Sequence, residues 1–271
     1  MATEKVTFTQ ARETLLATLY GRALDSRSKN PILGDHAAAE AVERIDYDFR
    51  KPRMTPMTAA GVAMRARQLD VWTREFLADH RQAVVLHLAC GLDTRVSRVD
   101  PGPGVRWFDV DYPDVIELRH KLFPDRDNYR TIGTSVTDDG WLDQVPADRP
   151  AIVVAEGLTM YLTKAEGRRL ITRLTDHFPG GQLVFDVYGT RGIRIQKWVP
   201  AVKRSGATLY WGVDDPSELE AWHEGLTCMT AIDSFDVPGS DHLRRSTRML
   251  LRACAAFPPF KKIGQVLRYR F

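Results

Sequence analysis

The spacing of apolar residues changes its rhythm near residue 82. Before that point they recur every three or four positions. This holds in "FTQARETLLATLYGRAL" (8–24), in "DHAAAEAVERI" (35–45), which opens on an aspartate cap, and over 57–80. These three stretches predict helices. In the last, Val62, Leu69, Trp72 and Phe76 share one stripe. From residue 83 the apolar runs are short and separated by amphipathic stretches. They predict strands at 83–89, 105–110, 129–133, 151–155, 182–187, 226–235 and 263–270. Helices are expected near 94–98, 112–122, 164–178, 216–224 and 241–255. Strands alternating with helices imply an α/β fold with a mostly parallel sheet covered on both faces. The final "IGQVLRYRF" alternates and follows a helix, so it is expected to insert antiparallel beside its predecessor. No internal repeat or low-complexity linker interrupts the chain. The reading is one domain over 1–271, with a helical N-terminal cap at 1–80 and a core at 81–271.

Composition narrows the function classes. A net charge of +3 with no dense Lys/Arg run argues against a nucleic-acid partner. Cys90, Cys228 and Cys254 are far apart and form no CxxC, which suggests a reduced, cytoplasmic setting without a disulfide framework. "MATEKVTFTQ" carries no basic-then-apolar signal. No apolar run approaches the roughly 18 residues of a membrane span.

Chemistry gathers at the predicted strand ends. "VVLHLACGLDTRVSR" (84–98) is a buried strand running into a turn at Ala89, Cys90 and Gly91. Ligands of open parallel sheets bind beyond the carboxyl ends of strands. A diphosphate cradle needs GxGxxG, and only Gly91 is present here, so a dinucleotide is disfavoured. A ligand with a sugar and base but no phosphate needs less glycine. About twenty residues on, Asp109 and Asp111 end the second strand. An acid there accepts both ribose hydroxyls or simply caps the next helix. Asp93 is a further acid in the loop, and Glu156 ends the fourth strand on the same edge. Arg65 lies on the buried stripe of the 57–80 helix, while Arg74 lies opposite. A guanidinium so placed needs an anion, either a structural carboxylate or one from a ligand.

Taken together, "LHLACGLDTR", "WFDVDYPDVIELRHKLFP", "SVTDDGWLDQVP" and "VVAEGLTMYLTKAE" resemble the successive motifs of the leucine carboxyl methyltransferase family. That family includes bacterial tetracenomycin-type polyketide O-methyltransferases. The resemblance is strongest over 84–187, extends weakly upstream through "ALDSRSKNP" and "GVAMRARQLD", and fades after 190. It implies a class I methyltransferase-like, Rossmann-like, seven-stranded sheet with an antiparallel last strand. It also implies S-adenosyl-L-methionine as cofactor, S-adenosyl-L-homocysteine as product, and no metal. Carried over by position, Lys29 and Arg65 would bind the methionine carboxylate, and Ala89, Cys90 and Gly91 would approach the methionine part. Asp111, or less favourably Asp109, would hold the ribose. Ser135 and Val136 would lie beside the adenine, Glu156 near the methionine end, and Tyr161 near the methyl path. The chain departs from the family pattern at Ala89, where a glycine is usual. It departs again at His87, where methyltransferases often carry an acid, and at Ser135, where an acid commonly receives the adenine amine. Serine can accept that bond without charge assistance.

Methyl transfer is an in-line displacement, in which the enzyme mainly positions the partners. A carboxylate acceptor needs no base, whereas a phenol or alcohol does. The candidates for catalysis are Tyr161 and His223, neither a compelling base, which favours a carboxylate or acidic phenol. The stretch "TRGIRIQKWVPAVKRSGATLYW" (190–212), within a 190–225 lid insertion, is expected to wall the acceptor site. Arg191, Arg194 and Lys197 would take an anionic group, and Trp198, Tyr210 and Trp211 would offer flat apolar surface. Should that stretch lie elsewhere, the wall would come from the N-terminal helices around Leu19 to Arg22. The expected partner is a small natural-product-like acceptor, with no nucleic acid and no membrane, in a monomer or homodimer. The alternatives are a protein C-terminal carboxyl methyltransferase, a catalytically silent S-adenosylmethionine-binding regulator and a nucleotide-dependent oxidoreductase.

Overall fold

The computed structural model describes residues 4–5, 13–51, 53–195, 207–257, 260 and 262–271. Three helices form the N-terminal cap: α1 (Glu13–Ser26), α2 (His36–Arg44) and α3 (Pro56–Asp79). Local chemistry sets their ends. The Asp35 side chain accepts from the Ala38 amide to start α2, and Thr55 caps α3 with Pro56 just inside it. After α1 the Asp25 carboxylate accepts the amides of Ile32, Leu33 and Gly34, which fixes the reversal into α2. The expected stripe of α3 is buried at Leu69, Trp72 and Phe76.

The core is a seven-stranded sheet. Its strands are β1 (Val84–Leu88), β2 (Arg106–Asp111), β3 (Tyr129–Gly133), β4 (Ala151–Ala155), β5 (Gly181–Tyr188), β6 (Thr227–Asp233) and β7 (Gly264–Arg270). Their spatial order is β3-β2-β1-β4-β5-β7-β6. β7 runs antiparallel between β5 and β6, and the other neighbours are parallel. The alternating pattern of the last run therefore inserts as expected. β1 and β4 are buried along their whole length, as continuous apolar runs covered on both faces should be. One face packs on α6 (Lys164–His177), through Leu86, Val153, Leu170 and Leu174. The other packs on α3, through Val85, Ile152, Val184 and Phe76.

The remaining helices are α4 (Arg95–Val99), α5 (Pro113–Leu122), α7 (Thr190–Arg194) and α8 (Arg245–Ala256). The helix expected at 216–224 is a 3₁₀ stretch, Pro216–Trp222, started by the Asp215 cap. Among the described residues no helix is long and apolar enough to cross a membrane. From β1 the chain builds outward to β3, returns to β4 on the other side of β1, and continues to β5. The order thus reverses between β1 and β4, and open α/β sheets bind ligands at such a point.

Candidate functional site

A cavity of about 280 Å³ opens at this switch point, close to the lower end of typical small-molecule sites (about 300–1,000 Å³). Its floor is the loop leaving β1. Ala89 and Gly91 both have positive φ, +48° and +50°, so the chain makes two left-handed steps within three residues. Glycine adopts this conformation freely and alanine does not. The end of β2 fastens the loop: Asp111 Oδ2 accepts the Gly91 amide at 2.7 Å, and its Oδ1 accepts the Tyr112 amide at 2.7 Å. Burial raises the Asp111 carboxyl above its usual range, outweighing these two amides. Asp111 lines the cavity, and each of its oxygens retains acceptor capacity for a hydroxyl.

Asp109 is engaged differently. It accepts from Arg119, from Trp107 Nε1 at 2.7 Å and from the Tyr129 hydroxyl at 2.8 Å, and lies 3.2 Å from His87 Nδ1. Arg119 in turn donates to the carbonyls of Gly91 and Asp93 at 2.8 Å each. Asp109 thus supports the loop from behind and does not line the cavity, which corrects its expected cofactor role.

The far wall carries a buried ionic network. Glu156 is held by Arg65 at 3.0 Å and by Arg95, which is fully buried. Arg65 also binds Asp186 Oδ2 at 2.8 Å, and the Gly157 amide donates to Asp186 Oδ1 at 2.6 Å. Arg95 and Arg98 share Asp70 and Asp93, and Arg98 reaches Asp35. Burial alone would raise the Asp93 carboxyl; Arg98, Arg22 and Arg95 outweigh it and hold it well below the usual range. Burial acts likewise on Glu156, and Arg65 and Arg95 keep it low. The anion that Arg65 needs is therefore supplied by the protein itself, although Arg65 still lines the cavity. Arginines 22, 65, 95 and 98 face Asp35, Asp70, Asp93, Glu156 and Asp186, so the network carries one more negative than positive charge.

Arg22 of α1 was not singled out as a cofactor residue from the sequence. It is 3% exposed and lines the cavity. Its Nη2 donates to the Leu92 carbonyl at 3.2 Å, its Nε lies 3.4 Å from Asp35, and that Nε has no hydrogen-bond partner. That Nε faces Asp35, and Arg22 borders the cavity with the rest of its side chain. The signal is present in "TLLATLYGRAL": Arg22 falls on the stripe of Leu15 and Leu19, as Arg65 does on its own helix. Lys29, by contrast, is exposed in the turn after α1 and does not line the cavity, so the expected carboxylate role does not fall to it.

Ala89, Cys90, Gly91, Glu156, Ser135, Val136 and Tyr161 all line the cavity, as expected. Tyr112 and Leu158 line it too, and Tyr161 stands near Arg65 and Thr14 of α1. Ser135 Oγ lies 2.7 Å from Thr137 Oγ1. Thr14 hydrogen-bonds the Tyr161 hydroxyl, and burial pushes that phenol above its ordinary value. His223 is elsewhere. It lies 3.5 Å from Asp176 near the end of α6, beside Phe271, whose backbone pairs with Gly181 at the amino end of β5. That is the opposite edge of the sheet, so His223 cannot serve the cavity.

The acceptor residues are also redistributed. Trp211 is core: it is 4% exposed, packs on Gly167 of α6 and lies 5.4 Å from Trp222. Arg194 and Tyr210 are exposed and do not line the cavity. Trp198 and Lys197 lie outside the described residues. The segment does reach the site edge, because the Tyr210 amide donates to the Met160 carbonyl at 2.8 Å and Leu209 packs with Met160 and Tyr161.

The profile of the leucine carboxyl methyltransferase family matches residues 14–175. The chain is 45% identical over 268 residues to the tetracenomycin polyketide synthesis O-methyltransferase TcmP of Streptomyces glaucescens, covering 99% of each. It is 39% identical over 243 residues to the S-adenosyl-L-methionine-dependent methyltransferase dpfgK of Gibberella zeae, covering 82% of each. A crystal structure of a candidate methyltransferase from Thermobifida fusca shares the fold, with a TM-score of 0.58 at 17% identity over 92% of this chain and 93% of that one. The order of strands, the cavity at the switch point and these matches agree: the chain belongs to the leucine carboxyl methyltransferase family.

Proposed function

We propose that this protein is an S-adenosyl-L-methionine-dependent O-methyltransferase that esterifies a carboxylate of a small, natural-product-like acceptor. The observation that carries the cofactor assignment is the chemistry of the cavity lining. At one end, Asp111 offers acceptor capacity for ribose hydroxyls, beside Ser135, Val136 and Tyr112. At the other, Arg22 and Arg65 border the place of the methionine carboxylate, next to a network of surplus negative charge that suits the cationic part of the ligand. When bound, S-adenosyl-L-methionine supplies an electrophilic methyl group. Three unpaired cysteines fit a reducing, cytoplasmic setting.

The acceptor class follows from the groups that the described residues present at the Tyr161 end. The Tyr161 phenol is held neutral by burial. The Glu156 carboxylate is pinned by Arg65 and Arg95 and kept a weak base. His87 lines the cavity, but one ring nitrogen faces Asp109 and the other faces Asp93 at 4.0 Å. Neither the Tyr161 phenol nor the Glu156 carboxylate takes a proton readily from a phenol or alcohol. A carboxylate arrives ionised, and the protein has only to hold and align it.

The test is transfer of a labelled methyl group from S-adenosylmethionine to aromatic carboxylic acids and to the matching phenols. Alkali-labile product, with a rate that is flat from pH 7 to 9, is expected. Alkali-stable ether, with a rate rising over that range, would contradict the carboxylate reading.

A further inference from the structure

We infer that Tyr188 is an acceptor-binding residue, and that Tyr161 and Tyr188 together form a face that receives a flat, apolar acceptor by its carboxylate. The inference rests on the proposed carboxyl methylation and goes further by naming the acceptor's seat. Tyr188 ends β5, at the same sheet edge as the cavity. It packs with Tyr161 and Ile193 against Met160 and Leu209. Met160 and Leu209 are each 3% exposed and form the backing, while Tyr161, Tyr188 and Ile193 are only partly buried and form the face. Tyr161 belongs to both this cluster and the cavity lining, so the face continues from the methyl-donor end of the cavity.

The backbone fixes the arrangement. The Tyr210 amide donates to the Met160 carbonyl and the Val213 amide to the Tyr188 carbonyl, each at 2.8 Å. The 207–213 segment therefore clamps the two tyrosine-bearing loops side by side. Within the described residues the Tyr188 hydroxyl makes no hydrogen bond, and it keeps access to solvent, so it is open to a ligand. Burial also holds Tyr188 neutral, so its hydroxyl is a donor at neutral pH. Two neutral phenol donors match a carboxylate, and two tyrosyl rings with Ile193 match an aromatic or fused-ring body. A purely structural Tyr188 needs its ring and not its hydroxyl.

The test uses 2-naphthoate as the acceptor probe, titrated calorimetrically into protein saturated with S-adenosylhomocysteine. Wild type should bind 2-naphthoate, and Y188F should bind it about tenfold more weakly, the contribution of one charge-assisted hydrogen bond. Y161F should weaken it similarly. Affinity of Y188F for S-adenosylhomocysteine and its melting temperature should match wild type, which shows that the ring alone maintains the fold. Equal 2-naphthoate affinity in wild type and Y188F overturns the proposal, as does failure of wild type loaded with S-adenosylhomocysteine to bind it. Failure of wild type to bind S-adenosylhomocysteine at all would instead sink the methyltransferase reading, and this inference with it.

Discussion

Ala89 carries the clearest tension at the level of single residues. It holds φ +48° at the floor of the cavity, two positions before Gly91 at φ +50°. An L-residue in the left-handed region loses roughly 1–2 kcal/mol, and glycine recovers this less about 0.4–1 kcal/mol of extra unfolded-state freedom. Ala89→Gly should therefore stabilise the protein by about 0.5–1 kcal/mol, read as a higher urea midpoint at constant slope. A lower midpoint would mean that the alanine methyl makes a packing contribution larger than its strain. Among the residues that line the cavity, Asp111, Gly91, Glu156 and Tyr161 were legible because strand ends and turn residues announce themselves in the pattern. Arg22 and Asp186 were not singled out, although each leaves a trace. Arg22 interrupts an apolar helix stripe, and Asp186 interrupts the apolar run "LVFDVY". Lys29 stands in an exposed turn outside the cavity lining, because position in a motif does not reveal which way a turn directs its side chain.

Element boundaries were legible wherever apolar periodicity was unbroken, as in α3, α6 and β1 to β5. The segment after β5 was harder to read, because its aromatic residues serve packing as readily as binding. Trp211 is the instance. A Cβ at Gly167 would stand 2.3 Å and 2.6 Å from Trp211 ring carbons, so this glycine exists to admit the indole against α6. Gly167→Ala should destabilise the protein by about 1–3 kcal/mol through overpacking. Gly61, on the exposed side of α3, meets nothing within 4 Å. There the same substitution should stabilise by about 0.5–1 kcal/mol from helix propensity alone. Chemical denaturation of the two variants should therefore move the midpoint in opposite directions. A shift of the same sign in both would undercut the packing assignment of Trp211.

Polar ties join the cap to the core across the whole molecule. Thr94 Oγ1 and Arg98 reach Asp35 at 2.6 Å and 2.8 Å, and Arg44 reaches the Leu122 and Lys121 carbonyls at 2.5 Å each. The same network lines the cavity, so the ligand site and the cap share their stability. Asp93, Glu156 and Asp109 sit below the usual carboxylate range in the folded protein. Their contribution is full above about pH 4 and is lost as pH falls through the lowered folded values. Asp111 and Asp186 are raised and act in the opposite sense, gaining as pH falls. Asp93, ion-paired to both Arg95 and Arg98, carries the loss. Thermal melts should thus change little from pH 5 to pH 4, fall below pH 4 and respond little to salt, because the pairs are buried. Asp93→Asn should cost about 3–5 kcal/mol at neutral pH, since Arg95 and Arg98 each lose a buried partner. A melting temperature that is level down to pH 3 would contradict this role for the network.

The claim on which the rest depends is that the switch-point cavity takes the cofactor, with Asp111 at its ribose end and Arg22 at its carboxylate end. Calorimetric titration of S-adenosylhomocysteine into wild type, Asp111→Ala and Arg22→Ala tests it most directly. The account predicts one saturable site in wild type, affinity lowered by at least roughly tenfold in each variant as a charge-assisted hydrogen bond is lost, and no heat with NADH. Unchanged affinity in both variants, or binding of NADH in place of S-adenosylhomocysteine, would contradict it.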